Sequence, residues 1–301
     1  MQKLLVTGAN GFVGRNLTSH FKNENEFELN PINLREPLSD PELDGFSAII
    51  HLAGKAHDLK SVSKPEEYYQ VNLELTKKLY DAFLKSDAEK FIFISSVKAA
   101  ADSVNTILTE EVVPDPETHY GKSKLMAERY IQSQPLPNGK SYFILRPCMI
   151  HGPGNKGNLN LLYQLVARGI PYPLAAFENK RSFLSVENLC FVIKEIVERD
   201  DVESGIYNLA DDESLSTNDL IRILAEGTGR RARLWKFPTA WIKSLAALGD
   251  KLNLPLTTER LNKLTENYVV SNQKIKNAIK KNLPLSASEG ILKTASAFNN
   301  A

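Results

Sequence analysis

Two side chains with acid–base chemistry, Tyr120 and Lys124, stand four residues apart in the segment YGKSK. At that spacing they share one face of a helix. A free phenol has a pKa of about 10, and a neighbouring ammonium group lowers that pKa towards the working range. The apolar run KFIFISS ends on Ser95 and Ser96. A serine there can hydrogen-bond the oxygen that the tyrosine protonates, so we expect Ser96, Tyr120 and Lys124 to be catalytic.

A glycine-rich turn follows the first apolar run of the chain. Residues 8–14 read GANGFVG, between a predicted strand and a predicted helix. Backbone N–H groups at such a turn, together with the helix dipole, bind a diphosphate without hindrance from Cβ atoms. The turn therefore predicts a dinucleotide site, with the candidate contacts Gly8, Asn10, Gly11, Phe12, Val13 and Gly14.

The elements that must position these residues alternate along the chain. Short apolar runs predict strands, and amphipathic stretches predict helices. The predicted strands are 3–7, 28–34, 47–53, 90–96 and 141–147, and the predicted helices are 66–85, 122–133, 159–168, 186–198 and 216–227. Pro31 weakens the second strand. The alternation indicates an α/β fold in which helices cover both faces of a parallel sheet.

Composition excludes several classes of protein. The 301 residues carry 37 Lys and Arg against 36 Asp and Glu, so the strong positive field typical of nucleic-acid binding is absent. No apolar run reaches the ~20 residues of a membrane helix, so we expect no membrane partner. The two cysteines, and an N-terminus that enters the strand pattern at once, favour the cytoplasm. The five histidines show no metal-ligand spacing, so we expect no metal.

The C-terminal part of the chain is more basic than the rest. Residues 251–301 hold eight Lys and Arg and three Asp and Glu. This excess is either a solvated surface or an attraction for an anionic substrate. The short cluster 229–233 (GRRAR) has no aromatic platform for bases, so we interpret it as a solvated turn. We expect Trp235 and Trp241 to pack within the C-terminal region, and Cys148 to be an ordinary buried thiol.

Several motifs in order resemble the extended short-chain dehydrogenase/reductase family, the NAD(P)-dependent nucleotide-sugar epimerases and dehydratases. They are TGANGFVG, IIHLAGKAH, Val71-Asn72, FISS, YGKSK, LRP at 145–147, HGPG at 151–154, and RSFLSVENL at 181–189, which begins with Arg181. The resemblance implies a Rossmann-like, doubly wound domain over residues 1–155. It also implies a smaller α/β region over 156–301, interleaved with the first, that binds a UDP-sugar.

The resemblance also implies roles for individual residues. Tyr120 is the expected general acid/base, Ser96 contacts the reacting oxygen, and Lys124 holds the nicotinamide ribose. The cofactor contacts beyond the glycine turn are Leu52, Ala53, Gly54, Pro147 and Lys124, while Asn72 braces the edge of the sheet. Arg181 is expected to bind the diphosphate of the substrate, to which its bidentate guanidinium is suited, and Asn158 to contact the nucleotide.

The identity of the cofactor stays open between NADP and NAD. Arg35, after the second predicted strand, suits a 2′-phosphate, whereas the adjacent Glu36 could bind a free ribose hydroxyl instead. Only twelve residues separate Arg35 from the strand at Ala48. The family usually fits a helix and a third strand there, so we expect the segment 36–47 to be shortened and the adenine pocket to be altered.

The type of reaction is narrowed by the two residues after Ser96. Dehydratases of this family resemble one another in an Asp-Glu pair at that place, whereas this chain has Val97 and Lys98. A C4 ketoreductase and a C4 epimerase remain, and HLAGKAH, SSVKAA and Arg35 favour the reductase. Lys98 and His57 lie either near the sugar or on the surface. A non-enzymatic dinucleotide sensor would tend to lose the tyrosine or the lysine. A homodimer through helices 66–85 and 122–133 is expected from the family.

Overall fold

The computed structural model describes residues 1–22, 24–34, 43–55, 64–155, 158–252 and 256–299. The strands are β1 (Gln2–Thr7), β2 (Phe27–Ile32), β3 (Ala48–His51), β4 (Lys90–Ile94), β5 (Ser141–Pro147), β6 (Met149–His151), β7 (Phe183–Ser185) and β8 (Gly205–Leu209). Six of them form one parallel sheet in the order β2-β1-β3-β4-β5-β8, and β6 pairs with β7 in a small parallel sheet.

Helices connect and cover these strands. They are α1 (Phe12–Phe21), α2 (Pro65–Tyr69), α3 (Leu75–Lys85), α4 (His119–Ser133), α5 (Asn158–Ala167), α6 (Val186–Glu198), α7 (Thr217–Gly227), α8 (Thr239–Leu252), α9 (Thr258–Thr265), α10 (Gln273–Ile279) and α11 (Ala287–Asn299). A π-helical turn, Gln70–Glu74, joins α2 to α3, and a 3₁₀ turn, Val97–Ala99, follows β4. None of the helices in the described ranges has the length and apolarity needed to cross a membrane.

The sheet is buried on both faces, and successive residues of a strand face opposite cores. Leu4 and Val6 of β1 belong to the core that includes residues of α1 and α6, whereas Leu5 belongs to the core under α3 and α4. The apolar runs noticed in the sequence are therefore continuous because both faces need apolar side chains. The predicted α/β class and parallel sheet are confirmed.

The crossover between β2 and β3 determines where a ligand can bind. α1 leads from β1 to β2 on one side, whereas β3 returns to the other side of β1. In open parallel sheets, such a reversal opens a crevice at the carboxyl ends of the two strands. Here the crevice lies between the turn after β1 and the segment after β3.

Most sequence-predicted elements agree with the structure within a few residues. Pro31 is accommodated because β2 is the edge strand, where a missing N–H donor leaves no ladder partner unpaired. The helix predicted at 122–133 begins earlier, at His119, which puts Tyr120 in its first turn. The predicted helix 66–85 is interrupted by the π-helical turn. The segment predicted to be shortened, 36–47, lies mostly outside the described residues, which omit 36–42, so its shortening stays a prediction.

A second core lies in the C-terminal part of the chain. It joins residues of α5, α7, α8 and α11, while β8, α6 and α10 belong to the main sheet and its first core. The expectation that Trp235 and Trp241 pack within this region is wrong. Both side chains are exposed. Trp241 is exposed because α8 buries Ile242, Ala246 and Gly249 on a different side, and Trp235 lies in the segment before that helix.

Candidate functional site

The turn after β1 leaves no room for side chains at two of its glycines. Gly8 has φ +72°, and a Cβ there would lie 2.7 Å from the amide nitrogen of Ala53. A Cβ on Gly14 would lie 2.5 Å from the Cα of Ala9. α1 begins directly after Gly11 and has no side-chain cap. Its first N–H groups and its dipole therefore face the crevice, which fits the diphosphate of a dinucleotide.

The segment after β3 is held by a chain of buried hydrogen bonds. Thr7 Oγ1 lies 2.7 Å from His51 Nδ1, and His51 Nε2 lies 2.9 Å from Thr76 Oγ1. The amide of Ala53 donates to Thr7 Oγ1. Burial lowers the pKa of His51 to about 3, so the ring is neutral at physiological pH. These hydrogen bonds fix the backbone at Leu52 and Ala53 without placing a charged side chain beside the crevice.

Asn72, in the π-helical turn, fixes the next part of this segment. Its Oδ1 accepts from the amide of Lys55, and its Nδ2 donates to the carbonyl of Lys55 and to Ser123 Oγ. Asn72 therefore braces the loop after β3 against α4, as the family resemblance implies. Gly54 lies between Asn72 and Lys124, since a Cβ there would be 3.1 Å from Asn72 Oδ1 and 3.0 Å from Lys124 Nζ.

Ser96, Tyr120 and Lys124 line one cavity of 230 Å³ at the carboxyl ends of β3, β4 and β5. Leu52, Gly54 and Pro147 line the same cavity, so three further candidate cofactor residues meet the catalytic group there. Ser96 caps the 3₁₀ turn, and its Oγ accepts from the amide of Lys98. Thr118 caps α4 and thereby fixes the first turn that carries Tyr120.

The pKa of Tyr120 differs from the sequence-based expectation. We expected Lys124 to lower it, but burial raises it, a hydrogen bond with Ser96 opposes that rise, and the nearby Tyr68 ring adds to it. Lys124 takes no part in this shift, and its ammonium group donates to the carbonyl oxygen of Ile94 at 2.8 Å. In this arrangement Tyr120 is therefore protonated at neutral pH, as an ordinary phenol is.

Lys124 is itself deeply buried. Its Nζ lies 4.7 Å from the centre of the Phe93 ring, and burial lowers its pKa to about 8 while the Glu128 carboxylate opposes that shift. An ammonium group with such a pKa is still charged at neutral pH. Lys124 can thus donate hydrogen bonds to the hydroxyl groups of a ribose in the cavity.

A buried ion pair lies beneath the catalytic group. Arg146 of β5 binds Glu128 of α4 through two nitrogens, with Nη2 2.5 Å from Oε2, and both residues are almost entirely buried. Ser95 donates to the same carboxylate. The pair therefore ties β4, β5 and α4 together directly below Ser96 and Lys124.

A second cavity, of 250 Å³, adjoins the first and shares Ser96, Tyr120 and Cys148 with it. The remaining described residues that line it are Val97, Lys98, Met149, Arg181, Ser182, Phe183 and Tyr268. No carboxylate is among them, which agrees with the lack of an Asp-Glu pair after Ser96. The cavity carries the cations Lys98 and Arg181 and the hydroxyl groups of Ser96 and Tyr120, an arrangement suited to an anionic ligand with hydroxyl or carbonyl groups.

Arg181 stands at this second cavity but is engaged by a carboxylate. Its Nη2 lies 2.7 Å from Glu266 Oε1, and its backbone pairs with Leu215 and Tyr268. Lys98 lies beside it, with Nζ 4.5 Å from the centre of the Tyr268 ring and a bond to the carbonyl of Asp102. Burial lowers the pKa of Lys98, and Arg181 adds to that shift. Lys98 lines the second cavity with its side chain about one third exposed, and its place beside a sugar stays a prediction.

The remaining predicted residues divide into three groups. Asn10, Phe12 and Val13 lie in the glycine turn, Asn10 exposed and the other two half-buried against the first core. Asn158 is the first residue of α5. Arg35, Glu36 and His57 lie outside the described residues. The assignment of all these residues to cofactor or substrate stays a prediction.

Cys148 lines both cavities without being a candidate nucleophile. Its thiol is buried, and burial raises its pKa well above the usual value, so the thiolate is disfavoured. Within the described ranges, no group of His, Cys, Asp and Glu residues is arranged to hold a metal ion.

Sequence reasoning missed the residues that hold the site together. Glu128, Arg146 and Tyr268 were not singled out, and His51 was considered only as a metal ligand. Glu128 follows Lys124 by one helical turn, so its place on the same face of α4 was a usable signal. No local pattern links Glu266 to Arg181, because the two are 85 residues apart.

Comparisons with known proteins agree with this geometry. Over 325 aligned positions the chain is 29% identical to the UDP-glucose 4-epimerase of Vibrio cholerae, covering 100% of this chain and 96% of the relative. It is 30% identical over 247 positions to N-acetyl-alpha-D-glucosaminyl-diphospho-ditrans,octacis-undecaprenol 4-epimerase of Escherichia coli O157:H7, covering 76% and 73%.

A solved structure shows the same fold. RMD from Pseudomonas aeruginosa, complexed with NADPH, superimposes with a TM-score of 0.75 over 100% of both chains, at 20% identity. Residues 4–210 match the sequence model of a family described as NAD dependent epimerase/dehydratase. That match spans more than half of the chain and includes the glycine turn, Ser96, Tyr120 and Lys124. The chain therefore belongs to the NAD dependent epimerase/dehydratase family, which confirms the resemblance of its motifs.

Proposed function

We propose that the protein transfers a hydride at C4 of a UDP-sugar, in the direction that reduces a UDP-4-keto-6-deoxy-hexose. One observation carries the proposal: Ser96, Tyr120 and Lys124 meet in one cavity, and the adjoining cavity has no carboxylate among its described lining residues. A site with a proton donor but no carboxylate pair suits reduction of a ketone better than removal of water from a sugar.

NADP or NAD is the cofactor that the residues fit. The glycine turn would hold its diphosphate, Leu52, Ala53 and Gly54 its adenosine side, and Lys124 and Pro147 its nicotinamide end. When bound, the cofactor supplies the hydride that C4 receives and is itself oxidised. Family membership supports an enzyme rather than a dinucleotide-sensing scaffold.

The chain's own residues have distinct roles in this proposal. Ser96 hydrogen-bonds the C4 oxygen and aligns it with Tyr120. The Tyr120 phenol gives its proton to that oxygen as negative charge develops there, so the ketone becomes a hydroxyl group. Arg181 binds the diphosphate of the substrate after leaving Glu266, and Asn158 contacts the nucleotide.

A 4-epimerase is the second candidate, favoured by the names of two relatives. Both the Vibrio cholerae and the Escherichia coli relatives are described as 4-epimerases, and they match the chain over most of its length. Such an enzyme would oxidise and then reduce C4 of a UDP-glucose or UDP-N-acetylglucosamine type substrate with a retained NAD. The same Ser96, Tyr120 and Lys124 would serve both half-reactions.

Assembly and location follow the family. We propose a homodimer through the helices at 65–85 and 119–133, no nucleic-acid partner, and a cytoplasmic location.

The experiment that tests the proposal compares two kinds of substrate. A UDP-4-keto-6-deoxy-hexose is added with NADPH or NADH, and the absorbance of the reduced cofactor is followed. UDP-glucose and UDP-N-acetylglucosamine are incubated without reductant, and the products are examined by NMR. Stoichiometric consumption of reduced cofactor supports the reductase, whereas C4 inversion without reductant replaces it by the epimerase. Absence of both activities, with Tyr120→Phe as the matched blank, contradicts the proposal.

A further inference from the structure

Helix α8 has an apolar face that nothing in the described chain covers. Ile242, Ala246 and Gly249 recur at helical spacing and bury one side of the helix against the second core. A second apolar stripe lies about a quarter turn away, because an α-helix advances ~100° per residue. Its members are 241, 245, 248 and 252, one tryptophan and three leucines, and all are exposed. Trp241 is 68% exposed and Leu245 is 55% exposed.

The stripe continues into the segment that precedes α8. Trp235 and Phe237 are also exposed, and their rings contact edge to face at a centroid distance of 5.9 Å. The backbone of this segment is fixed, since Trp235 exchanges hydrogen bonds with Tyr172 and Ala175. We call the exposed side chains Trp235, Phe237, Trp241, Leu245, Leu248 and Leu252 the 235–252 surface. A patch of this size and composition on a water-soluble fold indicates an interaction site.

The chain around this surface is strongly cationic. Residues 229–252 contain six Lys and Arg and a single acidic residue, Asp250. Asp250 is occupied, since it accepts hydrogen bonds from the amide and hydroxyl of Thr258. The cations are Arg230, Arg231 and Arg233 before the surface, Lys236 within its first segment, Lys251 about a quarter turn from the exposed stripe of α8, and Lys243 on the opposite side of that helix. Exposed aromatic and leucine side chains with arginine and lysine residues beside them are the pattern of an interfacial segment.

We propose that the 235–252 surface docks on a lipid bilayer that contains anionic lipids. Trp and Leu side chains insert at the level of the headgroups, while Lys and Arg side chains reach the phosphates beside them. A second copy of the chain fits the surface less well, because a two-fold contact would bring two such cationic segments together. This association is peripheral and needs no membrane-spanning helix. We expected no membrane partner only because no apolar run is long enough to span a bilayer, and that reason does not apply to surface docking.

A further cavity of the C-terminal region adjoins the segment that contributes to the 235–252 surface. Lys236, between the two aromatic residues of the segment, also lines a cavity of 650 Å³ together with Lys180 and Arg222. Lys180 directly precedes Arg181, whose side chain lines the second cavity of the candidate site, the cavity of 250 Å³. The proposed contact surface and the candidate substrate site are thus neighbours in the C-terminal region.

The two tryptophans of the chain provide a built-in test, because both belong to the 235–252 surface. The full-length protein is mixed with phosphatidylcholine vesicles that contain roughly one third phosphatidylglycerol, and with pure phosphatidylcholine vesicles. We expect a blue shift of tryptophan emission and flotation with the anionic vesicles, weakened by high salt. Unchanged emission together with absence from the floating fraction would overturn the proposal.

Matched substitutions assign any binding to this surface. Leu245→Glu is expected to weaken vesicle binding by about tenfold or more, since it removes an inserted side chain and adds a negative charge. Val113→Glu, at a site 83% exposed outside the surface, is the control and is expected to bind like the unchanged protein. Thermal unfolding of both variants checks that they are folded.

Two outcomes would contradict the proposal even if the protein floats. Equal binding by the Leu245→Glu and unchanged proteins would place the contact elsewhere. A dimer in solution that Leu245→Glu converts to a monomer, seen by light scattering without vesicles, would make the surface a subunit interface. A triple variant, Arg230→Gln, Arg231→Gln and Arg233→Gln, should retain the apolar residues but lose most of the salt dependence.

Discussion

The carboxyl edge of the sheet and the C-terminal region position their functional residues by different means. At the sheet edge, Thr7, His51 and Thr76 form a buried chain, and Arg146 and Glu128 form a buried ion pair. In the C-terminal region, Arg181 is held by one partly exposed carboxylate and by isolated backbone bridges. The side that serves the cofactor is fixed before any ligand binds, whereas the side proposed for the substrate can exchange its partners.

This difference follows from the cost of burying charge. A buried ion pair persists only when its geometry is satisfied, and it then restrains every element that contributes to it. A partly exposed pair stabilises the fold little and is readily replaced by a ligand. The reaction that we propose at C4 needs atoms held in place, whereas the diphosphate contact that we propose for Arg181 requires this side chain to leave Glu266.

The largest difference in kcat is expected between substitutions of two tyrosines, one from each region, that line the second cavity. Tyr120→Phe should lower kcat by about 10³-fold, because the proton donor is lost, with cofactor affinity unchanged. Tyr268→Phe should lower it by less than about tenfold, since its hydroxyl donates to backbone carbonyls, that of Ala101 at 2.7 Å and that of Val97 at 3.4 Å. Steady-state kinetics and cofactor titration measure both. Comparable losses of kcat in the two variants would break the comparison.

The next largest difference is expected in the free energy of unfolding, between loss of the Arg146–Glu128 pair and loss of the Arg181–Glu266 pair. Arg146→Met leaves the Glu128 carboxylate buried without its partner and should lower the free energy of unfolding by about 3 kcal/mol or more. Glu266→Gln should change it by less than about 1 kcal/mol, because that pair is partly exposed. Denaturant unfolding followed by circular dichroism measures both, and equal changes would show that burial does not separate the two regions.

The pH dependence of cofactor binding sharpens the description of the sheet edge. Lys124 has a pKa lowered to about 8, so its ammonium form predominates below that pH and is lost as the pH rises through it. The affinity for an anionic dinucleotide should therefore fall above pH 8, by up to about tenfold per pH unit. Titration of the Tyr120→Phe variant with NADPH measures this without interference from the phenol.

The control for this titration is Lys124→Met, which should bind weakly and independently of pH in the same range. His51, with a pKa of about 3, contributes no titration near neutrality. A flat profile in the protein that retains Lys124 would show that its charge does not contribute to cofactor binding.

The smallest effect is expected on KM, through Arg181 and its partner Glu266. Glu266→Gln removes the competitor for Arg181, so KM for the sugar nucleotide should fall by about two- to fivefold with kcat unchanged. Arg181→Ala should raise KM instead. The comparison would fail at this point if neither substitution altered KM.

The motifs in the sequence predicted the parallel sheet and the meeting of Ser96, Tyr120 and Lys124 at its edge, because these motifs are local. The glycine turn, the strand that ends on Ser96 and the Tyr120–Lys124 spacing each occupy a few adjacent residues, and the sheet brings them together at one edge. The partners of these residues could not be read in the same way. Arg146 meets Glu128, and Glu266 meets Arg181, only after distant segments have packed.

The pKa of Tyr120 and the tryptophans show a second limit. Sequence spacing indicated that Lys124 is near Tyr120, but not that its ammonium group is directed to Ile94. Aromatic side chains were assigned to the interior by their type alone, whereas the orientation of α8 decides which of its residues are buried. In both cases the direction of a side chain was missing.

The π-helical turn at Gln70–Glu74 amounts to one residue more than a regular helix would contain. It sets the rotational phase between Tyr68, which contacts Tyr120, and Thr76, which contacts His51. Removing one residue here would restore a regular helix but rotate one of these contacts by about 100°. The candidate active site is therefore sensitive to the length of a helix whose described residues are not among those that line the catalytic cavity. Single-residue deletions there should be far less tolerated than substitutions at its exposed positions.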